Sequence, residues 1–294
     1  MLSILSKMVV KPFEWLYKDF PPTVRVETTN LCNARCITCP RDEMTRQLGV
    51  MDMDLYEKII HECAKNHIGS IHLHNFGEPL MDNNLAHRIK MAKEVGIHRV
   101  KIFSNGSLLT SEKALELIES GLDEIKISID GHTKETFEKI RKRLSYDVVV
   151  DNISSIIRLR EKNNRKTPKV VLNFVRTEKN IQEEKAFVRR WSGEVDKVSI
   201  DKAHNWGVNH FIPLKNSKIH KPCLRVWNTF TILWNGDVAL CCLDYDGQVI
   251  LGNVEKEDIT QIWHGERLKE IRECHVHADL ENIPICRDCS KARL

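Results

Sequence analysis

From residue 23 the chain alternates short β-branched runs with longer stretches whose apolar residues return every three or four positions. The short runs are TVRVET (23–28), SIHLHNF (70–76), RVKIFSN (99–105), EIKISID (124–130), KVVLNFV (169–175) and KVSIDKA (197–203), and each reads as a strand. Between them DLYEKIIHECAKNH, NNLAHRIKMAKEVG, SEKALELIESG and DVVVDNISSIIRLREKN read as amphipathic helices. The punctuation agrees: glycine closes the second and third of these, and Thr110 or Ser111 stands ready as the N-cap of the third. Six βα units in series imply parallel strands with right-handed crossovers. The expected fold is therefore α/β, a partial (β/α)6 barrel of the TIM type, with its site on the loops at the C-terminal ends of the strands.

After about residue 210 the pattern changes. NTFTILWNGDVALCCLD reads as a β-hairpin turning at Asn235-Gly236, a pair suited to a type I′ turn, and EDITQIWHGERLKEIREC reads as helical. Three units are expected: a helical extension over 1–22, the barrel over 23–210, and a small α+β domain over 211–294. The first twenty residues are mildly amphipathic, with Lys7 and Lys11 breaking the apolar run. They read as a helix packed on the main domain, not as a signal peptide, with a membrane-surface helix as the second reading. No apolar run is long enough for a transmembrane helix.

Composition narrows the class. A chain with 41% hydrophobic and 29% charged residues is that of a globular protein, and +4 over 294 residues without a like-charge block argues against a nucleic-acid partner. Ten cysteines without secretory features point to metal binding or catalysis in a reducing cytoplasm, not to disulfides.

Three of those cysteines stand in NLCNARCITCP, where Cys32, Cys36 and Cys39 follow the first strand as C-x3-C-x2-C. Four thiolates would close a zinc or iron–sulfur site; three leave one position open for a cofactor or substrate. The spacing alone also allows a structural zinc completed by a distant ligand. Further residues fall on the same rim: Gly77, Glu78 and Pro79 after the second strand, Ser104 and Asn105 after the third, Ser128 and Asp130 after the fourth. A carboxylate there can accept from an ammonium group, and small hydroxyl and amide side chains suit ribose and carboxylate contacts. Each alone is an ordinary turn signal.

On these residues the sequence resembles the radical S-adenosylmethionine (radical SAM) enzymes. The resemblance implies that Cys32, Cys36 and Cys39 each hold one iron of a [4Fe–4S] cluster and that SAM chelates the fourth. It implies that Glu78, in the Gly77-Glu78-Pro79 turn, receives the SAM amino group, and that Ser104, Asn105, Ser128 and Asp130 lie on the cofactor. The residue before the third cysteine is often aromatic in the family and touches the adenine; here it is Thr38, so that contact must change. An electron donor such as flavodoxin or ferredoxin is implied as partner.

The last third of the chain holds Cys223, Cys241, Cys242, Cys274, Cys286 and Cys289. With WNGDVALCC, LGNV and ITQIW beside them, they resemble the C-terminal SPASM domain of that family in its shortened twitch form. The resemblance implies one auxiliary [4Fe–4S] cluster on Cys223, Cys241, Cys286 and Cys289, whose intervals of 18, 45 and 3 residues are similar to those of an aminocyclitol dehydrogenase in the family. Cys242 is the alternative at the double cysteine, and a four-cysteine zinc site is the bland reading. Cys63 reads as a buried structural thiol.

The activity so implied starts with a 5′-deoxyadenosyl radical that takes hydrogen from the substrate. The leading expectation is a dehydrogenase that oxidises an alcohol and passes an electron to the auxiliary cluster. The alternatives are an epimerase using Cys242 or Cys274 as hydrogen donor, a peptide- or protein-modifying maturase, and, outside catalysis, a zinc-stabilised binding module. Only 31 residues precede Cys32, too few for a peptide-recognition domain, so a sugar, aminocyclitol or nucleotide-linked sugar is expected. At the ends of the fifth and sixth strands stand Asn173, Arg176, Lys202, His204, Asn205 and Trp206. Arg176 suits a carboxylate or phosphate clamp, and Lys202 or His204 a proton acceptor; a solvated-rim or ion-pair role competes for each.

Overall fold

The computed structural model describes residues 2–207, 210–211 and 219–293, so the expected boundary near 210 lies beside segments outside the described residues. Six parallel strands, β1 (Thr23–Val26), β2 (Ser70–His72), β3 (Arg99–Ser104), β4 (Glu124–Ser128), β5 (Lys169–Arg176) and β6 (Lys197–Lys202), pair in sequence order. Helices α2 (Met53–Lys65), α3 (Leu85–Glu94), α4 (Ser111–Glu119), α5 (Lys134–Ile140), α6 (Tyr146–Lys162) and α7 (Glu184–Trp191) connect them. Thr110 caps α4 by accepting from the Lys113 N–H, as its position predicts. Helices α5 and α7 have too few periodic positions to stand out in the sequence.

Strand alternation sorts the side chains. Val24, Val26, Ile71, Val100, Ile102, Ile125, Ile127, Val170 and Leu172 are fully buried and join the apolar faces of the helices, among them Ile59, Ile89, Leu117 and Ile153, in one core. Each such side chain contributes about 1.5–3 kcal/mol through burial. Among their sequence neighbours, Arg25, Phe103, Ser128 and Asn173 line a cavity instead. A closed barrel of this type fills its interior with branched apolar residues; here Arg25, Ser128 and Asn173 take part of that interior as a cavity wall, and the sheet ends at β6 without returning to β1.

The region after residue 219 is stitched onto that sheet. β7 (Phe230–Ile232) pairs in parallel with β1, and β8 (Asp237–Ala239) and β9 (Ile250–Asn253) extend it antiparallel. The hairpin departs from expectation at its turn. Of Asn235 and Gly236 only the glycine has positive φ, +84°, whereas a type I′ turn needs both. Gly236 N–H instead donates to Leu233 O at 3.0 Å, closing a four-residue turn that carries Trp234 and Asn235 at its centre.

Helix α1 (Leu2–Leu16) forms, and its main packing is against the helix Glu266–His277 of the C-terminal region. The chain after it is tied to the same region, since Trp263 Nε1 donates to Tyr17 O at 3.2 Å. Among the described residues no helix is long and apolar enough to cross a membrane.

Candidate functional site

The loop after β1 is held by its own side chains. Asn30 donates through Nδ2 to Gln47 O and accepts at Oδ1 from Gly49 N–H, both at 2.8 Å, so the two ends of the loop are joined. Within it Cys36 sits on a two-residue ribbon in which Arg35 and Cys36 pair with Lys142 and Arg141. Cys39 N–H donates to Cys36 O at 3.1 Å, a turn that turns the last two thiols of the set to one side. Cys32, Cys36 and Cys39 line one wall of a cavity of about 420 Å³.

The opposite walls come from the ends of the next strands. Glu78 is 1% exposed, and its carboxylate accepts from Ser104 Oγ at 2.7 Å, Asn105 N–H at 2.7 Å and Leu80 N–H at 3.1 Å. Burial raises its pKa above the usual carboxylate range; the three donors and Arg141 work against that shift. Asn105 bridges to the thiol loop, donating from Nδ2 to Asn33 Oδ1 at 2.9 Å. Gly77 has φ +120°, and a Cβ there would stand 2.4 Å from Thr29 O, so the turn meets the thiol loop with no room for a side chain. A Gly77→Ala substitution is expected to destabilise the fold by about 1–3 kcal/mol, as read by denaturant melts.

The sequence-derived residues do not all reach the cavity. Thr38, Gly77, Glu78, Ser104, Asn105, Ser128, Asn173, Lys202, His204 and Trp206 line it; Pro79, Asp130, Arg176 and Asn205 do not. Asp130 is fully buried behind the wall, where it accepts from Val175 N–H at 2.8 Å and pairs with Arg141 at 2.7 Å. Its effect reaches the cavity through Arg141, whose Nη1 stands 3.7 Å from Cys36 Sγ. Arg176 is taken up by Glu184, with Nη2 donating to Oε1 at 2.7 Å, so the clamp expected of it is already occupied. His204 is held neutral, since burial, then Lys291 and Arg225, lower its pKa to about 4. Its Nδ1 accepts the Trp206 N–H at 3.3 Å, which leaves the ring proton on Nε2. In that tautomer Nε2–H is a free donor on the cavity wall, and the ring takes up a proton only by releasing Trp206. Trp206 itself donates from Nε1 to Thr38 O at 2.7 Å and packs on Phe76 at 5.1 Å. An aromatic face from the far side of the barrel thus lies beside the threonine.

The second thiol set stands apart. Cys223, Cys241, Cys286 and Cys289 surround a small apolar pocket with Val226, Leu240 and Ile285, whereas Cys242 lines the large cavity. Arg225 and Leu243 line both, so the two sites share a wall. His275, which the sequence gave no reason to single out, accepts the Cys223 N–H on Nδ1 at 3.2 Å and stands 3.6 Å from Cys286 Sγ with Nε2. Cys274 lies outside both pockets, and Cys63 is fully buried in α2, an inert position.

Both sets suit iron–sulfur clusters. Cys32, Cys36 and Cys39 line the large cavity together, and Cys223, Cys241, Cys286 and Cys289 the small one, and such thiol sets are what hold the irons of these clusters. Burial pushes Cys39 up to about 12 and raises Cys32, Cys36, Cys241, Cys286 and Cys289, so bare thiolates are costly there until a metal's charge offsets burial. Asn75 Nδ2 and Asn173 Oδ1 are buried on the cavity wall without a partner among the described residues, and a polar group in the cavity can satisfy them.

Comparison with known proteins agrees with this layout. Residues 26–175 match the radical SAM superfamily and residues 223–290 match an iron–sulfur cluster-binding domain, SPASM. The S-adenosyl-L-methionine-dependent 2-deoxy-scyllo-inosamine dehydrogenase of Niallia circulans is 22% identical over 270 residues, covering 91% of this chain and 92% of that protein. The crystal structure of BtrN with AdoMet and 2-DOIA superposes with a TM-score of 0.64 at 20% identity, over 92% of this chain and 93% of that one. SuiB of Streptococcus suis, bound to its precursor peptide SuiA, gives 0.72 at 13% identity over 92% and 70%. The superfamily match spans half of the chain and carries the thiol loop, the Glu78 turn and the strand ends that wall the cavity, and the SPASM match carries the second thiol set: this chain belongs to the radical SAM superfamily, and its cofactors are SAM and [4Fe–4S] clusters.

Proposed function

We propose that this protein oxidises an alcohol carbon of a small polar substrate, a sugar, aminocyclitol or nucleotide-linked sugar, in the cavity above Cys32, Cys36 and Cys39. In this reading Cys32, Cys36 and Cys39 hold the SAM-binding cluster and Cys223, Cys241, Cys286 and Cys289 the auxiliary one, in units spanning 23–210 and 211–294. When bound, SAM and the clusters supply a carbon-centred radical that takes one hydrogen atom from the substrate and an acceptor for the remaining electron. The residues do the rest. Glu78 offers its carboxylate to the SAM ammonium, Trp206 an aromatic face beside Thr38, and His204 stands at the cavity for the substrate hydroxyl and, by releasing the Trp206 N–H, for its proton. A flavodoxin or ferredoxin would serve as reductant.

The observation that carries this reading is the shared wall: Arg225 and Leu243 line both the large cavity and the pocket of four thiols. In this reading an electron leaving the substrate would cross that shared wall to an acceptor in the second pocket. The 2-deoxy-scyllo-inosamine dehydrogenase, similar over nearly its whole length, supports the same class of reaction. The expected result for a Cys286→Ala/Cys289→Ala variant is that 5′-deoxyadenosine still forms while ketone product falls at least a hundredfold, both followed by mass spectrometry. Undiminished ketone in that variant would sink the oxidation reading.

One observation favours a second reading. Cys242 points its residue into the large cavity beside Leu243, where a thiol can return hydrogen to a substrate radical. The outcome would be epimerisation, with solvent deuterium in the product and none of it in Cys242→Ser. A ketone product made without solvent deuterium excludes it.

A further inference from the structure

The cavity wall is unbalanced in charge. Arg25, Arg41, Arg141, Lys202, Arg225 and Lys291 line it against two carboxylates, Glu78 and Asp201. Three of the cations have a use already. Arg141 pairs with Asp130 at 2.7 Å. Arg41 lies close enough to favour the thiolates of Cys32 and Cys39, and Arg225 stands beside Cys242, Cys223, Cys241 and Cys289. Asp201, for its part, pairs with Lys126 at 3.0 Å. Arg25, Lys202 and Lys291 remain, and no carboxylate bridges any of them among the described residues.

Arg25 is the informative one. It is half-buried in the middle of β1 and faces the barrel interior. Its Nη1 donates to His74 Nε2 at 2.8 Å, and its Nε is buried without a partner among the described residues. His74 stacks on Phe103 at 4.0 Å and on His72 at 5.5 Å. Both imidazoles are neutral, because burial, followed by the charge of Arg25, drives their pKa values far down, that of His72 to about 3. They accept hydrogen bonds but bring no negative charge. A half-buried guanidinium whose side-chain partner is a neutral imidazole keeps its charge unanswered and stands ready for an anion in the cavity.

We propose that the substrate carries a phosphate or diphosphate group, drawn in by Lys202 and Lys291 at the mouth and bound by Arg25 deeper in the barrel. The proposal deepens the functional reading above and rests on it only in taking this cavity as the substrate site. It selects among the substrate classes. The wall repels an ammonium-bearing aminocyclitol and suits a sugar phosphate or nucleotide-linked sugar, whose oxygens a guanidinium fork can meet two at a time.

The test is isothermal titration of the anaerobically reconstituted, SAM-loaded protein with glucose 6-phosphate, UDP, glucose and 2-deoxystreptamine. Saturable binding of glucose 6-phosphate or UDP is expected, weakening as salt rises, and which of the two binds tells a monoester from a diphosphate. Arg25→Gln should weaken it at least tenfold at unchanged iron content, and Arg25→Lys should recover part of it. The Lys202→Gln/Lys291→Gln variant, altered at the mouth alone, should weaken it severalfold and steepen no fold defect. The proposal is overturned if neither phosphate compound binds, if 2-deoxystreptamine binds in their place, or if all variants bind as wild type does. It is also overturned if the anions bind only without SAM and SAM displaces them, since Arg25 would then serve the cofactor carboxylate. None of these outcomes touches the oxidation reading, which stands or falls on the product, and a redox-neutral product would leave anion binding intact.

Discussion

A Cys32→Ala/Cys36→Ala/Cys39→Ala variant will bind about four irons per chain where the wild type binds about eight, and it will not cleave SAM at all. The effect is total because the remaining thiols cannot replace all three: Cys63 is buried in a helix, and the auxiliary thiols line their own pocket. Cys242 lines the same cavity and is the one spare thiol that could rescue a site missing a single ligand, which is why all three positions are changed together. The measurement is iron and sulfide content after anaerobic reconstitution, with the EPR spectrum of the reduced protein recorded with and without SAM. A fall from about eight irons to about four, with loss of the SAM-sensitive signal, places the two clusters as assigned. About four irons falling to none, with zinc retained, would make the C-terminal thiols structural and remove the electron acceptor that oxidation requires.

What could be read from the sequence follows from how local each signal is. The strands were legible because their β-branched runs are short and bounded by turn residues, and the parallel order followed from the helices between them. The thiol loop was legible because its ligands lie within eight residues, a spacing that few structural roles need. Asp130 and Arg176 were placed at the right strand ends, yet neither faces the cavity, because each is claimed by a partner, Arg141 or Glu184, that no local pattern announces. The same limit hid Arg25. In the sequence it is one polar position in an alternating strand, and only the neutral imidazole 49 residues away, and the absence of a carboxylate among the described residues around it, reveal its charge as unanswered. His275 was hidden likewise, since its role depends on backbone and thiol partners 52 and 11 residues distant.

The two halves of the molecule also depend on each other in a way that the sequence did not disclose. The hairpin is no appendage, because β7 takes the edge of β1 that a closed barrel would give to a further βα unit. The strand that leads into the first thiol loop is therefore held on one side by the glutamate-bearing turn's strand, β2, and on the other by the domain of the second thiol set. A shift of either neighbour moves the loop, so the geometry of the two thiol sites is set together.

Glu27 is where that coupling concentrates, and Glu27→Ala is expected to destabilise the protein by about 3–5 kcal/mol. Its carboxylate is fully buried and accepts both Arg46 Nη atoms at 2.9 Å, the Phe76 N–H at 3.2 Å and the Trp234 N–H at 3.3 Å. Those donors belong to the far arm of the thiol loop, the strand end before Gly77 and the hairpin turn. Arg46 continues the link by donating from Nε to Tyr245 O at 2.8 Å. Removing the carboxylate strands a guanidinium whose side chain is only 11% exposed, together with two backbone donors, and a buried charge without its partner is the costly half of such a pair. Glu27→Gln keeps the shape and half of the acceptors, so a smaller loss is expected of it. Denaturant unfolding of the three proteins at equal iron loading measures the stabilities, and SAM affinity measured on the same samples tells whether the loop has moved. A Glu27→Ala protein as stable as wild type would mean that water reaches Arg46 once the carboxylate is gone, and that the two thiol sites are held in register by the β1–β7 pairing alone.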